Sequence, residues 1–339
     1  MPQTPVEIIS KLPASFKKAQ DSGDLLFFPS SVHEYDEDGV KFEIRLCPAL
    51  QKKPHLPTPH FEVAAQLESS RPDPFSPPYV PNLYLGELRD EEEGAEYVVL
   101  FNKYSVVPHH ILMVTKEYQS QTSPLHPSDL VQAYRLLIAG QKAGRRFFAF
   151  YNCGDLSGAS QPHKHIQLIP LEDDGPPIER LARAMKVDYP DKPFALTQLP
   201  YANHVRRLPT HLASGSYDEL ERTLADAFLS LLDLTISTVR RDPTYPAGTP
   251  SYNAILTLEH MYLVPRRKEN HILSETSEPL SVNALGYAGM LLVKSDRELE
   301  AVKAESVRKI LRDVGLESVH ELLVNDHVED VNNSIQDAV

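Results

Sequence analysis

The chain has 339 residues, of which 41% are hydrophobic and 24% charged, values typical of a folded globular protein rather than a disordered one. Its 34 basic and 47 acidic residues leave a net charge of −13, which disfavours broad binding to nucleic acids or to anionic membranes. Two cysteines are too few for a disulfide framework or a cysteine-rich zinc site, and the first residues lack the pattern of a secretory signal. We therefore expect a reduced, intracellular protein.

The first half of the sequence predicts a mixed unit of strands and helices. Residues 12–21 have helical spacing, and residues 27–46 alternate as strands do, with Gly39 at a turn. Eight prolines between Pro54 and Pro81 exclude a helix, so we expect this segment to lie as an extended strap over the surface. The remaining elements predicted here are strands over 97–102, 106–114, 147–151 and 163–169 and a helix that begins near residue 128.

The second half begins after an acidic, proline-containing segment at 172–177, which predicts domains at 1–175 and 176–339. Ser216 to Glu219 has the form of a capping box at the start of a long helix. Strands over 254–258 and 261–264 and a helix over 306–313 follow. His110–Lys116 and His260–Arg266 share one pattern: a histidine, an apolar strand that ends in valine, and a basic residue two positions later. The pattern suggests an α+β fold that is duplicated within one chain, with antiparallel sheets flanked by helices.

A group of polar residues in the strand over 163–169 is the strongest chemical signal. The period of two places His163, His165 and Gln167 on one face of this strand. Three interpretations are open: a hydrogen-bonded polar face, a zinc site, and nucleophilic catalysis at phosphorus. The zinc interpretation lacks thiolates and a nearby carboxylate.

The loop before the strand favours catalysis. Gly158–Gln161 is small and rich in hydrogen-bond donors, as a backbone that approaches phosphate oxygens should be. A neutral imidazole is both a nucleophile and a leaving group, provided that a partner on its other nitrogen holds the tautomer. We expect the nucleophilic ring to lie bare in a cavity, on the same side as Gln167.

The motif Ser-Gln-x-His-x-His-x-Gln, after Asn152-Cys153-Gly154, resembles the histidine-triad superfamily. Within it, the chain is similar to the fungal diadenosine tetraphosphate phosphorylases, or ATP adenylyltransferases, which are related to the galactose-1-phosphate uridylyltransferases. Gln167 stands where the hydrolases of the superfamily carry a third histidine. Further similarity covers most of the chain and includes the segments 45–50, 102–103, 115–117 and 283–294.

The resemblance implies a histidine-triad-like fold and a role for each matching residue. His165 matches the nucleophile that takes the adenylyl group, His163 the residue whose backbone orients it, and Gln167 a contact to the transferred phosphate. The residues that match substrate contacts are Lys53, Asn102, Lys103, Asn152, Gly158, Ala159, Ser160, Gln161, Asn283, Ala284, Leu285, Met290 and Lys294. Whether Lys52 or Lys53 binds phosphate depends on the register, and we favour Lys53 because it precedes a proline.

The implied reaction is a reversible phosphorolysis of diadenosine tetraphosphate to ATP and ADP through an adenylyl-histidine. The implied partners are diadenosine polyphosphates, phosphate, ATP, ADP and AMP, without nucleic acid or membrane. We expect a cytoplasmic and also nuclear monomer, no bound zinc and no tightly bound cofactor, with a divalent cation such as Mg²⁺ accompanying the nucleotide. The alternatives are a hexose-1-phosphate uridylyltransferase and a dinucleotide-binding protein without activity.

Overall fold

The computed structural model describes residues 2–52 and 73–318. The helices are α1 (Pro5–Asp21), α2 (Pro127–Lys142), α3 (Pro177–Ala184), α4 (Tyr217–Arg241), α5 (Ala284–Tyr287), α6 (Asp296–Glu305) and α7 (Val307–Val314). The strands are β1 (Leu26–Phe27), β2 (Ser31–Glu37), β3 (Val40–Leu46), β4 (Tyr84–Arg89), β5 (Glu96–Phe101), β6 (Tyr104–Ser105), β7 (Ile111–Thr115), β8 (Arg146–Cys153), β9 (His165–Leu171), β10 (His204–Arg207), β11 (Tyr252–Leu256), β12 (His260–Pro265), β13 (Asn270–Ile272), β14 (Pro279–Ser281) and β15 (Met290–Val293). None of the helices in these two ranges combines the length and the apolar character that crossing a membrane requires.

An eight-stranded antiparallel sheet forms the centre of the molecule, in the order β10-β12-β11-β8-β9-β7-β5-β4. The predicted α+β class with antiparallel sheets is therefore confirmed. Strands from the two halves of the chain meet where β8 pairs with β11. The division into domains at residue 175 and the internal duplication stay predictions, since both halves contribute to this one sheet.

A second sheet forms where the sequence alternates. In β3 the apolar residues Val40, Phe42, Ile44 and Leu46 are buried, and the polar residues between them are partly or fully exposed. Strand β2 pairs with β3 through the turn at Gly39, whose φ of +78° suits glycine. Strand β15 adds in parallel on the other side of β3.

The long helices begin at residues that cap them. Thr4 and Glu7 form a capping box that starts α1 at Pro5, earlier than the expected start at residue 12. Ser216 accepts a hydrogen bond from the backbone N–H of Glu219 and starts α4 where its sequence predicts. The Glu219 carboxylate contacts His211, so only the serine half of the predicted capping box is observed.

The two faces of the central sheet have different coverings. Ile166 and Leu168 of β9 point into a core that α1, α2 and α4 complete. Ile169 belongs to the core on the other face, which β3, α5 and α7 complete. Because side chains alternate along a strand, His165 and Gln167 lie on that second face.

Candidate active site

The predicted nucleophile lies at the first residue of β9 in a defined orientation. The Nδ1 atom of His165 is 2.8 Å from the carbonyl oxygen of His163, an acceptor, so Nδ1 carries the proton and donates. The Nε2 atom therefore keeps its lone pair. Burial lowers the pKa of His165 to about 4, although the hydrogen bond to His163 acts to raise it. The ring is neutral at pH 7, as a nucleophile must be.

The ring of His165 is covered, which corrects the expectation that it lies bare. Only 3% of His165 is exposed. The ring of Phe75 lies against it, with 5.1 Å between the ring centroids. Phe75 belongs to the proline-rich segment, and its ring forms an apolar cluster with Val98, Leu100, Leu112 and Val114. The expectation was wrong because the sequence pattern does not show what packs over the strand.

The ring of His163 attaches this segment to the site. Its Nδ1 is 2.7 Å from the Asp73 carboxylate, and its Nε2 is 2.7 Å from the carbonyl oxygen of Thr115. Burial raises the pKa of Asp73, but hydrogen bonds from His163, Phe75 and Ser76 outweigh it and leave that pKa below the ordinary value. The ionised Asp73 thus connects the segment that carries Phe75 to the histidine that orients His165.

A chain of hydrogen bonds sets the orientation of the Gln167 amide. The Oδ1 of Asn102 accepts from the backbone N–H of Tyr104, so its Nδ2 donates to Nδ1 of His110, 3.0 Å away. His110 then donates from Nε2 to Oε1 of Gln167, also at 3.0 Å. Burial lowers the pKa of His110 to about 4, which keeps the ring neutral. Among the described residues, the two amide protons of Gln167 have no hydrogen-bond acceptor, so they are available to a ligand.

Asn152 lies beside the nucleophile on the neighbouring strand. Phe150 of β8 pairs with Gln167 of β9, and the same register continued by two residues places Asn152 opposite His165. Opposed residues in a sheet share a face. Gln121 joins the two strands, since its Oε1 accepts from the backbone N–H of His165 and its Nε2 donates to the carbonyl of Asn152.

The predicted phosphate loop packs directly on the second half of the chain. Gly158 has a φ of +78°, and a Cβ atom there would lie 2.6 Å from the carbonyl oxygen of Val282 and 2.9 Å from Cβ of Asn283. Only glycine fits this approach. The backbone N–H of Ala284 donates to Oδ1 of Asn152 at 3.0 Å. The structure thus brings Gly158, Asn152, Asn283 and Ala284 together.

Of the other predicted residues, Leu285 joins this group through its backbone N–H, which donates to Oδ1 of Asn283 at 2.9 Å. In the described part of the chain, Lys103, Met290 and Lys294 make no hydrogen bond or ion pair with it. The ammonium of Lys103 lies 5.8 Å from the ring centre of Tyr104. Leu285 and Met290 pack against the core beneath β3, and the backbone N–H of Lys294 donates to Glu298. Ala159 is buried, Gln161 is half-buried and Ser160 is exposed in the loop. Lys53 lies outside the described residues.

The sequence-based prediction missed Asp73, His110 and Gln121. His110 had a signal, because it begins the His–strand–Val pattern that also occurs at His260. Gln121 contacts His165 across 44 positions of sequence, and Asp73 contacts His163 across 90. Such contacts depend on the fold and leave no local pattern.

Within residues 2–52 and 73–318, the side chains of Glu179, Glu259 and His260 come close enough together to hold a metal ion. The carboxylates of Glu179 and Glu259 already have hydrogen-bond or ion-pair partners within the protein. Glu179 accepts hydrogen bonds from His260 and Tyr262, and Glu259 pairs with Arg183. We interpret this group, in which Glu179 and His260 are buried, as a hydrogen-bonded cluster rather than a metal centre.

A cavity of about 760 Å³ lies elsewhere, between the end of α4 and α7. Among the basic residues that line it, Arg267 is paired with Asp242 and Lys268 with Asp313. It contains none of the predicted site residues, so we place the candidate site at His165 on the grounds of chemistry rather than volume.

Comparison with known proteins gives matches along nearly the whole chain. Residues 1–184 match the family model described as the Ap4A phosphorylase N-terminal domain, and residues 197–317 match the ATP adenylyltransferase C-terminal domain. Diadenosine 5',5'''-P1,P4-tetraphosphate phosphorylase 2 of Saccharomyces cerevisiae is 33% identical, over 77% of this chain and 78% of the yeast protein. Protein APA1 of the same yeast is 29% identical, over 92% of this chain and 95% of its own. The crystal structure of yeast Ap4A phosphorylase Apa2 in complex with Ap4A superimposes with a TM-score of 0.74 at 27% identity, covering 94% of this chain and 100% of the other.

Proposed function

Because the chain belongs to the Ap4A phosphorylase family, we propose that it catalyses the reversible phosphorolysis of diadenosine tetraphosphate (Ap4A) to ATP and ADP, with the adenylyl group carried on His165. The observation that carries the proposal is the hydrogen bond from Nδ1 of His165 to the carbonyl of His163. It leaves Nε2 as the nucleophile in a ring that burial keeps neutral.

In the first step, Nε2 of His165 attacks the α-phosphorus of Ap4A. The bond from that phosphorus to the bridging oxygen breaks, and ATP leaves. The free amide protons of Gln167 and the backbone donors of Gly158–Gln161 stabilise the charge on the non-bridging oxygens. Phe75 must move away from the ring for the phosphorus to reach it, since His165 is otherwise 3% exposed.

In the second step, inorganic phosphate attacks the adenylyl-histidine and ADP leaves. The imidazole is released in the neutral form in which it began. Water must be kept out, because it would convert the intermediate to AMP. The apolar group around Phe75 supplies this shielding when it covers the ring.

The proposal includes the setting in which the reaction occurs. The protein acts as a monomer in the cytoplasm and nucleus, on nucleotides that carry Mg²⁺ with them. The net charge of −13 supports a small nucleotide rather than a nucleic acid as the partner.

The test uses Ap4A labelled at the α-phosphorus, without inorganic phosphate. We expect acid-labile label on the intact protein, and release of labelled ADP when phosphate is added. The His165→Ala variant should take no label and lose at least about a thousandfold in kcat. The matched control His204→Gln, which removes a buried histidine near α4, should be labelled as the natural chain is. Label on His165→Ala, or equal labelling by UDP-glucose, would contradict the proposal.

A further inference from the structure

Arg266, directly after β12, is fully buried. Each of its five N–H groups has an acceptor: Nε the carbonyl of Val314 (3.3 Å), Nη1 Oδ1 of Asn253 (2.6 Å) and the carbonyl of Ser157 (3.1 Å), and Nη2 the carbonyls of Lys268 (2.8 Å) and Glu269 (3.3 Å). The guanidinium also lies 5.3 Å from the ring centre of Tyr287. Within the described ranges, no carboxylate is among these partners.

A buried charge whose hydrogen-bond partners include no carboxylate is costly, although the charge of Glu269 acts to stabilise it. Burial lowers the pKa of Arg266, but a guanidinium does not lose its proton at neutral pH. Carbonyl dipoles offset part of this cost. Because an apolar side chain at this position would avoid the cost, the guanidinium must have a role that an apolar side chain could not fill.

Two of the residues that accept hydrogen bonds from Arg266, Ser157 and Asn253, support the phosphate loop. Ser157 is the residue before Gly158, and its carbonyl accepts from both Arg266 and the amide of Asn253. Asn253 lies opposite Asn152 where β11 pairs with β8. Arg266 therefore contacts the loop directly and, through Asn253, strand β8, which pairs with β9.

Arginine only donates hydrogen bonds, and this sets the direction of the amides that follow. Arg266 donates to Oδ1 of Asn253, so Nδ2 of Asn253 donates to Oδ1 of Asn152 at 2.8 Å. The backbone N–H of Ala284 takes the other side of that oxygen. The Nδ2 of Asn152 is consequently turned away from these partners, and within the described residues this buried atom has no acceptor.

We propose that Arg266 is a positioning residue for the phosphate site, which acts through Asn253 and Ser157 to aim the Asn152 amide and the Gly158–Gln161 loop at a nucleotide phosphate. The unpartnered Nδ2 of Asn152 is the donor that the phosphate satisfies. The inference rests on the proposed function and deepens it, because it assigns the second half of the chain a part in binding the transferred group.

The test measures AMP affinity by calorimetry, the KM for inorganic phosphate, kcat and the melting temperature. Arg266→Lys retains a cation but lacks the planar fork, so we expect AMP to bind about tenfold more weakly and the KM for phosphate to rise. Asn253→Ala breaks the relay while Arg266 stays, and should weaken AMP binding to a similar extent. The double variant should bind AMP about as weakly as either single variant, because both act through one chain of bonds.

Arg207→Lys is the matched control. Arg207 also donates to backbone carbonyls, those of Ala182 and Met185, but makes no recorded contact with the loop. We expect a lower melting temperature and an unchanged affinity for AMP. If Arg266→Lys does not fold, Asn253→Ala alone decides. Folded variants that bind AMP as the natural chain does would overturn the inference, and a natural chain that binds no AMP would overturn the proposed function with it.

Discussion

Several amide side chains in this site are held in one orientation, because the groups that bind their oxygens can only donate hydrogen bonds. The backbone N–H of Tyr104 donates to Oδ1 of Asn102, and that of His165 donates to Oε1 of Gln121. The guanidinium of Arg266 donates to Oδ1 of Asn253. An amide rotated by half a turn would present oxygen where nitrogen is needed. The direction of each amide is therefore set by hydrogen bonds within the protein rather than by the substrate.

His110 provides a test of this point. In His110→Leu, Oε1 of Gln167 loses its donor, and the amide is free to turn its oxygen toward the phosphate. We expect kcat to fall about 10- to 100-fold, since a donor to developing charge is lost, with a smaller change in the KM for Ap4A. Steady-state kinetics measure both parameters.

The control is His109→Asn. His109 lies beside His110 in sequence, has a φ of 60° that asparagine tolerates, and packs on Phe16 rather than on Gln167. This variant should keep the natural kcat. A normal kcat in His110→Leu would show that Gln167 needs no such support.

The residues with local patterns were the ones that the sequence could predict. His163, His165 and Gln167 were predicted from strand alternation and from the motif, and the structure places His165 and Gln167 on one face of β9. Arg266 was noticed only as the basic residue that ends a repeated pattern, although it contacts Ser157 across 109 positions. Burial and long-range pairing decide such roles, and neither is written in neighbouring residues.

Among the elements, the segment that begins at Asp73 has the closest relation to the nucleophile. It is anchored by Asp73 to His163 and places Phe75 on His165. The sequence predicted an extended strap over the surface, but not that one of its residues covers the nucleophile. Part of that strap, residues 53–72, lies outside the described residues.

Phe75→Ala should change the pH dependence of the reaction. Burial is the main cause that lowers the pKa of His165 to about 4, so exposure of the ring should raise that pKa toward the ordinary 6.5. Because only the neutral ring attacks, the acid limb of kcat/KM should move to higher pH by about one unit or more. A pH–rate profile and an NMR titration of the ring measure this shift.

Tyr79→Ala serves as the control for Phe75→Ala. It removes an aromatic ring of the same segment that stacks on Tyr84 instead of on a histidine. The acid limb of its kcat/KM profile should remain at the pH found for the natural chain. An acid limb that moves equally in both variants would mean that general loosening of the segment, rather than cover of His165, sets the pKa.

Element prediction succeeded where one local rule dominates. The capping residue Ser216 and the alternation in β3 both predicted what is observed. It failed at α6, which begins after Ser295 and buries Leu299, Ala301 and Val302. It also missed that β15 pairs in parallel with β3, because residues distant in sequence provide that contact.

At the scale of the whole molecule, several buried histidines make stability depend on pH. Burial lowers the pKa values of His110, His165 and His204 to about 4 in the folded protein. The unfolded chain binds protons at these positions near the ordinary pKa of about 6.5, so it binds more protons than the folded chain between these values. The free energy of unfolding should therefore fall as pH falls from about 6.5 to about 4, by about 1.4 kcal/mol per pH unit for each histidine.

Urea denaturation at a series of pH values measures this slope. The variant His204→Gln, distant from the active site, should reduce it by about 1.4 kcal/mol per pH unit. Gln retains a polar group near Thr238, which His204 contacts at 3.1 Å. A slope that is the same in both proteins would show that His204 is protonated in the folded state.

The pairing of β8 with β11 joins the two halves of the chain, and this affects how their sequences can change during evolution. Asn253 and Ala284, from the second half of the chain, donate hydrogen bonds to the Asn152 side chain. Gln121, from the first half, donates to the backbone carbonyl of Asn152 and accepts from the backbone N–H of His165. A substitution inherited on either side is felt at the same amide. We therefore expect substitutions in the two halves to be coupled, and exchange of either half for that of a relative to disturb the Asn152 amide.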